Sequence, residues 1–423
     1  MDLLIKNATI VDPGTSLTGK QMDVLISGGK IVQIGKGITS LKAKEIKIKG
    51  LHISPGWLDV GVQTGDPGLE HREDLITVTN AAAAGGFTGI ACYPNTDPVT
   101  DSKSGVLYLK QNSQDLPVDC YPIGALSAGC DGKDITELYD MHEAGACAFS
   151  DGNRSIQHAG LMLRGLLYVK AFDGLVINHP HDKTLSANGQ MHEGYVSTTL
   201  GLRGISGLTE EIMVQRDIEL AEYAQSKVHI ANISTALSVE KIKKAKAKGI
   251  QVTTSVAALN LLFDDGVLSG FDSNFKVLPP LRSKNDIKAL KKGLKDGTID
   301  FITSNHVPLE EEAKKLEFPY ATFGAIGLET SFAVANTALE KSLSLEDLVE
   351  KLSIQPRKTL GLPIVKIEEG TLANLSLFVP NTPWTVTKKD IRSRSENTPL
   401  IGHVLKGGVF GIINGKKTVL RDL

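Results

Sequence analysis

Eight times between residues 57 and 305, a short apolar run of strand length is followed by a stretch that can form a helix. That alternation constrains the chain more than any other feature, because neighbouring parallel strands need a crossover and a helix normally supplies it. The strand candidates are WLDVGV at 57–62, FTGIACY at 87–93, VDCYPIG at 118–124 and ACAFS at 146–150. The other four are LVINH at 175–179, VHIANI at 228–233, IQVTTS at 250–255 and DFITSN at 300–305. The helices between them carry end signals; EDLITVTNAAAAGG opens on acidic residues and closes on glycine. Eight such units predict an α/β fold, a (β/α)8 barrel of the TIM type.

The two ends of the chain follow a different period. DLLIKNATIV, MDVLISGGKIVQIG and KEIKIKGLHI near the start alternate apolar and polar residues around Gly, Pro and Ser. ANLSLFVP, GHVLKGGVFGIING and KKTVL near the finish do the same. The expected division is a composite β domain, 1–54 with 368–423, attached to a barrel at 55–367. A chain of 423 residues is long enough for both.

A formal net charge of −2 offers no sign-dominated surface for nucleic acid or anionic lipid, and no run reaches the roughly 18 apolar residues of a membrane span. The lysine-rich segment 238–249 keeps Val239, Ile242 and Ala245 on one face, which reads as an outer barrel helix rather than a basic binding patch. Cys92, Cys120, Cys130 and Cys147 form no CxxC pair, and the first residues lack a signal-peptide profile. The expectation is a cytoplasmic protein with reduced, core-lying thiols that meets small molecules or other proteins.

In a barrel of this kind, the site is assembled from the C-terminal ends of the strands. There the chain reads SPGWLDVGVQTGDPGLEHREDL, then YPNTDPV, AFSDG, INHPHD, HIANIST, PPLRS, ITSNHVP and FGAIGLETS. In order and interval this series resembles the class I dihydroorotases of the amidohydrolase superfamily, nearly end to end. The resemblance implies a barrel with a small β domain, a two-zinc centre, and reversible conversion of carbamoyl aspartate to dihydroorotate in pyrimidine synthesis.

The departures from that pattern lie where the chemistry should be. The family's Asp-x-His-x-His-x-Arg at the first strand is matched by Asp59-Val60-Gly61-Val62-Gln63-Thr64-Gly65. Gly61 and Gln63 stand for the two imidazoles, and Gly65 for the arginine that would clamp a substrate carboxylate. The resemblance keeps Asp151 as the metal-bridging carboxylate and His179 as the fifth-strand ligand. Asn232 replaces the sixth-strand histidine. Asn305 replaces the last strand's aspartate, the family's metal ligand and proton shuttle, and an amide takes no proton at neutral pH. Leu309 and Leu278 stand at two further substrate-contacting positions, leaving Asn95 as the surviving one.

A zinc ion lowers the pKa of bound water from about 15.7 to about 7, on the order of 12 kcal/mol in favour of hydroxide. Catalytic zinc ordinarily keeps three protein ligands, so Asp151 and His179 alone are insufficient and no cofactor is expected here. A relocated site built from His179, His181, His192, His229 and His306 is disfavoured. Pro180 divides the His179–His181 pair, His181 falls in a loop, and His229 should face the side of its strand opposite Asn232.

The sequence therefore predicts a catalytically inactive dihydroorotase-like protein acting as a structural partner, with aspartate transcarbamoylase as the first partner to test and homodimerisation in keeping with the resemblance. The alternative is a cyclic amidohydrolase of dihydroorotase or hydantoinase type, working through an altered metal site.

Overall fold

A computed structural model describes residues 2–421. The eight barrel strands run in chain order: β1 (Trp57–Val62), β2 (Phe87–Cys92), β3 (Asp119–Gly124), β4 (Ala148–Phe149), β5 (Val176–Asn178), β6 (Val228–Ile230), β7 (Val252–Ala257) and β8 (Phe301–Thr303). Each pairs in parallel with the next. β1 and β2 are buried along their whole length, as expected of strands covered on both faces. Leu58, Val60, Ala91, Ile123, Ile177 and Phe301 pack inside the barrel. Ile90, Cys92 and Val176 point outward into the core shared with the helices.

The helices begin where the sequence signals them. Asp74 caps the helix Leu75–Ala84 by accepting from the Thr77 N–H, while Thr77 Oγ1 accepts from the Asp74 N–H. Ser283 and Asp286 make the same reciprocal pair at the start of Lys284–Lys295.

Several strands are shorter than the apolar runs that announce them; 146–150 yields only Ala148–Phe149, and 300–305 only Phe301–Thr303. The chain leaves the ladder early because the residues beyond build the barrel mouth. Asn232 and Asn305 both take left-handed backbone conformations there, with φ of 55° and 51°, which asparagine tolerates better than most residues.

Side-chain bonds help close the barrel between β8 and β1. The Asp59 carboxylate, fully buried, accepts from the Ser304 N–H at 2.9 Å and from the Ser304 hydroxyl. The Gln63 N–H donates to the His306 carbonyl at 3.3 Å.

The terminal segments form one outer sheet, in the order Lys417–Leu420, Val404–Asn414, Asn374–Thr385, His52–Pro55, Leu3–Ile10, Gln21–Ser27, Lys30–Gly35. It has its own apolar core around Ile5, Ile10, Ile53 and Leu377. Trp57 ties this sheet to the barrel. Its ring stacks on Phe332 at 4.7 Å and lies 5.2 Å from Phe378, the indole N–H donates to Ser54 Oγ, and the backbone N–H of Trp57 donates to Ser376 Oγ.

Candidate functional site

At the mouth of the barrel lies a cavity of about 90 Å³, lined among others by Gly61, Gln63, Tyr93, His179, Asn232 and Asn305. Position 61 is a bulge. Val60 pairs with Ala91 and Val62 with Cys92, so Gly61 has no partner of its own across the ladder. Its φ is 89°, and a Cβ built there would stand 2.7 Å from the Tyr93 ring. Gln63 reaches the cavity with its side-chain nitrogen buried and without a hydrogen-bond partner.

Asn232 and Asn305 join the ends of β6 and β8 through a directional relay. Thr303 Oγ1 and Ser255 Oγ donate to Asn232 Oδ1 at 2.7 and 3.3 Å. Asn232 Nδ2 donates to Asn305 Oδ1 at 3.2 Å, and Asn305 Nδ2 to the Leu278 carbonyl at 3.1 Å. The amides thus satisfy one another, and no group in the relay is charged.

His179 also lines the cavity. Burial pulls its pKa down to about 4, against the opposing effect of a hydrogen bond to the Ala231 backbone, so the imidazole is neutral near pH 7. The other histidines are committed elsewhere. His181 stacks on His179 at 6.2 Å and bonds Ser186 Oγ. His192 Nδ1 accepts from Arg282 at 3.2 Å. His306, fully buried, accepts the Gly327 N–H through Nδ1, which leaves Nε2 to donate to Glu73 at 3.4 Å.

His229 corrects an expectation. Read as a regular strand, the chain places it opposite Asn232, yet His229 Nε2 and the Asn232 N–H both meet Ser255 Oγ, at 3.1 Å each. β6 ends at Ile230, and the left-handed turn at Asn232 breaks the alternation. The His229 ring lies flat against Phe301, 4.8 Å away, and its role is packing.

Two residues retained from the family pattern are turned to structural tasks. The Asp151 carboxylate accepts from the Ser127 N–H at 2.9 Å and the Ser127 hydroxyl at 2.6 Å, and it does not line the cavity. Burial raises its pKa, with the Ser127 bonds opposing. Asn95 is likewise absent from the lining. It donates to the Asp151 carbonyl at 3.1 Å, accepts from the Asn153 N–H, and fills the space a side chain on Gly152 would need.

At the clamp position, a Cβ on Gly65 would stand 2.3 Å from the Glu73 carbonyl oxygen, so the turn is closed to an arginine as it stands. Leu309 is buried, and Leu278 lines the cavity.

Zinc takes thiolate, imidazole or carboxylate donors, three or four to a site. The cavity offers one imidazole and neutral amides, and among the described residues no group of three or more His, Cys, Asp or Glu is placed to hold a metal ion. The residues present do not fit the family's metal centre.

The fold and the position of the site define an amidohydrolase-type barrel. The amidohydrolase family model matches residues 171–408, and the dihydro-orotase-like model matches residues 50–238. A dihydroorotase of Pelotomaculum thermopropionicum is 43% identical over 426 residues, covering 100% of this chain and 99% of that one. A dihydroorotase of Acetivibrio thermocellus is 41% identical over 423 residues, covering 99% of each. The chain belongs to the dihydroorotase family. In fold it is similar to the L-hydantoinase of Arthrobacter aurescens, with TM-score 0.86, 24% identity and coverage of 99% of this chain and 96% of that one. It is also similar to the dihydropyrimidinase of Brevibacillus agri, with TM-score 0.84, 23% identity and coverage of 100% and 95%. No helix among the described residues is long and apolar enough to cross a membrane.

Sequence reasoning missed the strap that crosses the mouth's rim. Glu73, fully buried, accepts from the Ser393 hydroxyl and from the Arg394 N–H at 3.0 Å. Asn397 bonds the Leu309 N–H and the Val307 carbonyl. The only signal was a polar stretch, RSRSENTP, lying between two strand-like runs.

Proposed function

We propose that this chain keeps the dihydroorotase-family scaffold without running metal-assisted hydrolysis at its barrel mouth, and that it acts through its surface as a structural partner. One observation carries this reading: where a metal centre would need imidazoles and a carboxylate, Asn232 and Asn305 form a neutral, self-satisfied amide bridge. The first partner to test is aspartate transcarbamoylase. Failure to co-elute with that enzyme from the same organism, or to alter its activity, would remove this partner.

A second reading is an active cyclic amidohydrolase with an altered site. Full-length relatives named dihydroorotase support it more directly than they support the first, and hydantoinases share the fold. His179, neutral and at the cavity, is the side chain on which such a site would be built.

One assay separates the two. The unaltered protein, supplied with zinc, manganese or cobalt, is offered dihydroorotate, carbamoyl aspartate and hydantoin. The first reading expects background rates throughout; metal-dependent turnover of any of them establishes the second and ends the first.

A further inference from the structure

We propose that Tyr93 is a plug which bars a metal-ligating side chain from position 61 by volume, so that the imidazole missing there cannot be restored by substitution at that position alone. The proposal rests on the reading that the site does not fit a metal, and it makes a claim that reading does not: restoring the ligand side chains alone will not restore the site.

Position 61 lies at the β1 bulge. A histidine at position 61 begins with a Cβ, and that Cβ would stand 2.7 Å from both Cε2 and Cζ of Tyr93 and 2.9 Å from its hydroxyl oxygen. Real Cβ contacts do not come so close, so either the ring or the strand must move. Neither moves freely. The Tyr93 N–H donates to the Val62 carbonyl at 2.9 Å, tying the tyrosine's backbone to the strand it obstructs. Its ring belongs to the barrel's inner apolar layer with Val60, Ala91 and Ile177, and only 8% of the residue is exposed. Position 61 itself sits at φ 89°, a conformation that side-chain-bearing residues rarely adopt. Glycine at 61 and tyrosine at 93 are therefore one packing unit, in which the aromatic ring occupies the room a β-carbon and imidazole would take. The remaining cavity, about 90 Å³, is what this ring leaves open.

The test compares a variant carrying Gly61→His, Gln63→His, Asn232→His and Asn305→Asp with the same variant carrying Tyr93→Ala in addition. Zinc retained per chain after dialysis and the visible spectrum of the cobalt-loaded protein are the readouts. The expected result is substoichiometric zinc in the first variant. The second should retain stoichiometric zinc with an affinity about 10- to 100-fold higher, the scale by which disturbing a metal site's surroundings alters binding. Equal zinc retention by the two, whether full or negligible, overturns the proposal.

Should either multiple variant fail to fold, Tyr93→Ala alone keeps the claim open to refutation. If the ring fills a defined space beside Gly61, phenol should occupy the vacated space and raise the variant's thermal midpoint saturably while leaving the parent unmoved. No phenol-dependent shift in Tyr93→Ala overturns it. Neither readout involves turnover, so failure of this proposal and failure of the inactive reading are distinguishable.

Discussion

At the scale of single residues, the mouth of this barrel is organised by hydrogen-bond direction rather than by charge. Asn305 shows the point. Its oxygen accepts from Asn232 and its nitrogen donates to the Leu278 carbonyl, so only an amide satisfies both neighbours. Asn305→Asp, a change of one atom toward the family's pattern, would set a carboxylate oxygen against a carbonyl oxygen. Both Asn305 and Leu278 are half-buried, so we expect it to destabilise the fold by about 1 kcal/mol, the scale of one lost hydrogen bond. Urea unfolding would register this as a lower midpoint at unchanged slope. A variant as stable as the parent would mean the relay contributes nothing.

The identities of these residues were legible in the sequence, because Gly61, Gln63, Asn232 and Asn305 fall at fixed intervals within recognisable blocks. Their partners were not. The bonds linking Asn232 to Asn305 and Asp59 to Ser304 join residues far apart in the chain, and no local period announces such pairs. In the sequence Tyr93 ends one strand-like run and opens YPNTDPV, and its place against Gly61 depends on a bulge that spacing does not reveal.

At the scale of elements, the eight strands were legible because burial on both faces forces uninterrupted apolar runs. What escaped were the polar segments that hold the mouth's rim, since they satisfy tertiary partners and carry no repeat. The strap at 392–398 depends on Glu73, whose carboxylate also accepts from Thr77 and faces His306. Glu73→Gln keeps the shape but replaces one acceptor with a donor. Hydrogen exchange in the strap should then quicken roughly 10-fold or more, the kinetic image of losing one such bond. Unchanged protection would assign the strap's order to its other contacts.

The loop leading to Gly324 is gripped from the opposite side by two buried lysines. Lys276 Nζ donates to Gln190 and to the Phe318 and Pro319 carbonyls. Lys314 Nζ donates to the Lys276, Thr322 and Gly324 carbonyls. Burial holds each ammonium down to about 8, and for Lys314 the charge on Lys276 adds to the effect, with Asp272 opposing it. The folded value lies below the unfolded one, so between about pH 8 and 10.5 the unfolded chain binds more protons and stability should rise with pH. Lys276→Met and Lys314→Met should each lose part of that rise. The check is the difference in unfolding midpoint between parent and variant at about pH 7.5 and about pH 10, because the difference cancels groups that titrate alike in both.

At the scale of the whole molecule, the ends of the barrel strands are gathered by hydrogen bonds between groups already in the chain. The Asn232–Asn305 bridge spans β6 and β8, Asp59 and Ser304 link β8 to β1, and Asp151 draws the segment after β4 to Ser127. On the reading proposed above these hydrogen bonds hold the mouth without a metal, so folding of this barrel should not be linked to metal concentration. A protein that binds a metal only when folded gains RT ln(1 + [M]/Kd), about 4 kcal/mol at a thousandfold excess over Kd, and loses it to a chelator. In a chain of this size that loss would lower the thermal midpoint by several degrees. We therefore expect dialysis against a chelator to shift the midpoint by less than about 2 °C, and readdition of zinc to produce no recovery beyond that. A larger, zinc-reversible fall would mean that His179 and its neighbours hold a metal after all. Because the readout is unfolding, it reaches that conclusion even for a metal that performs no chemistry.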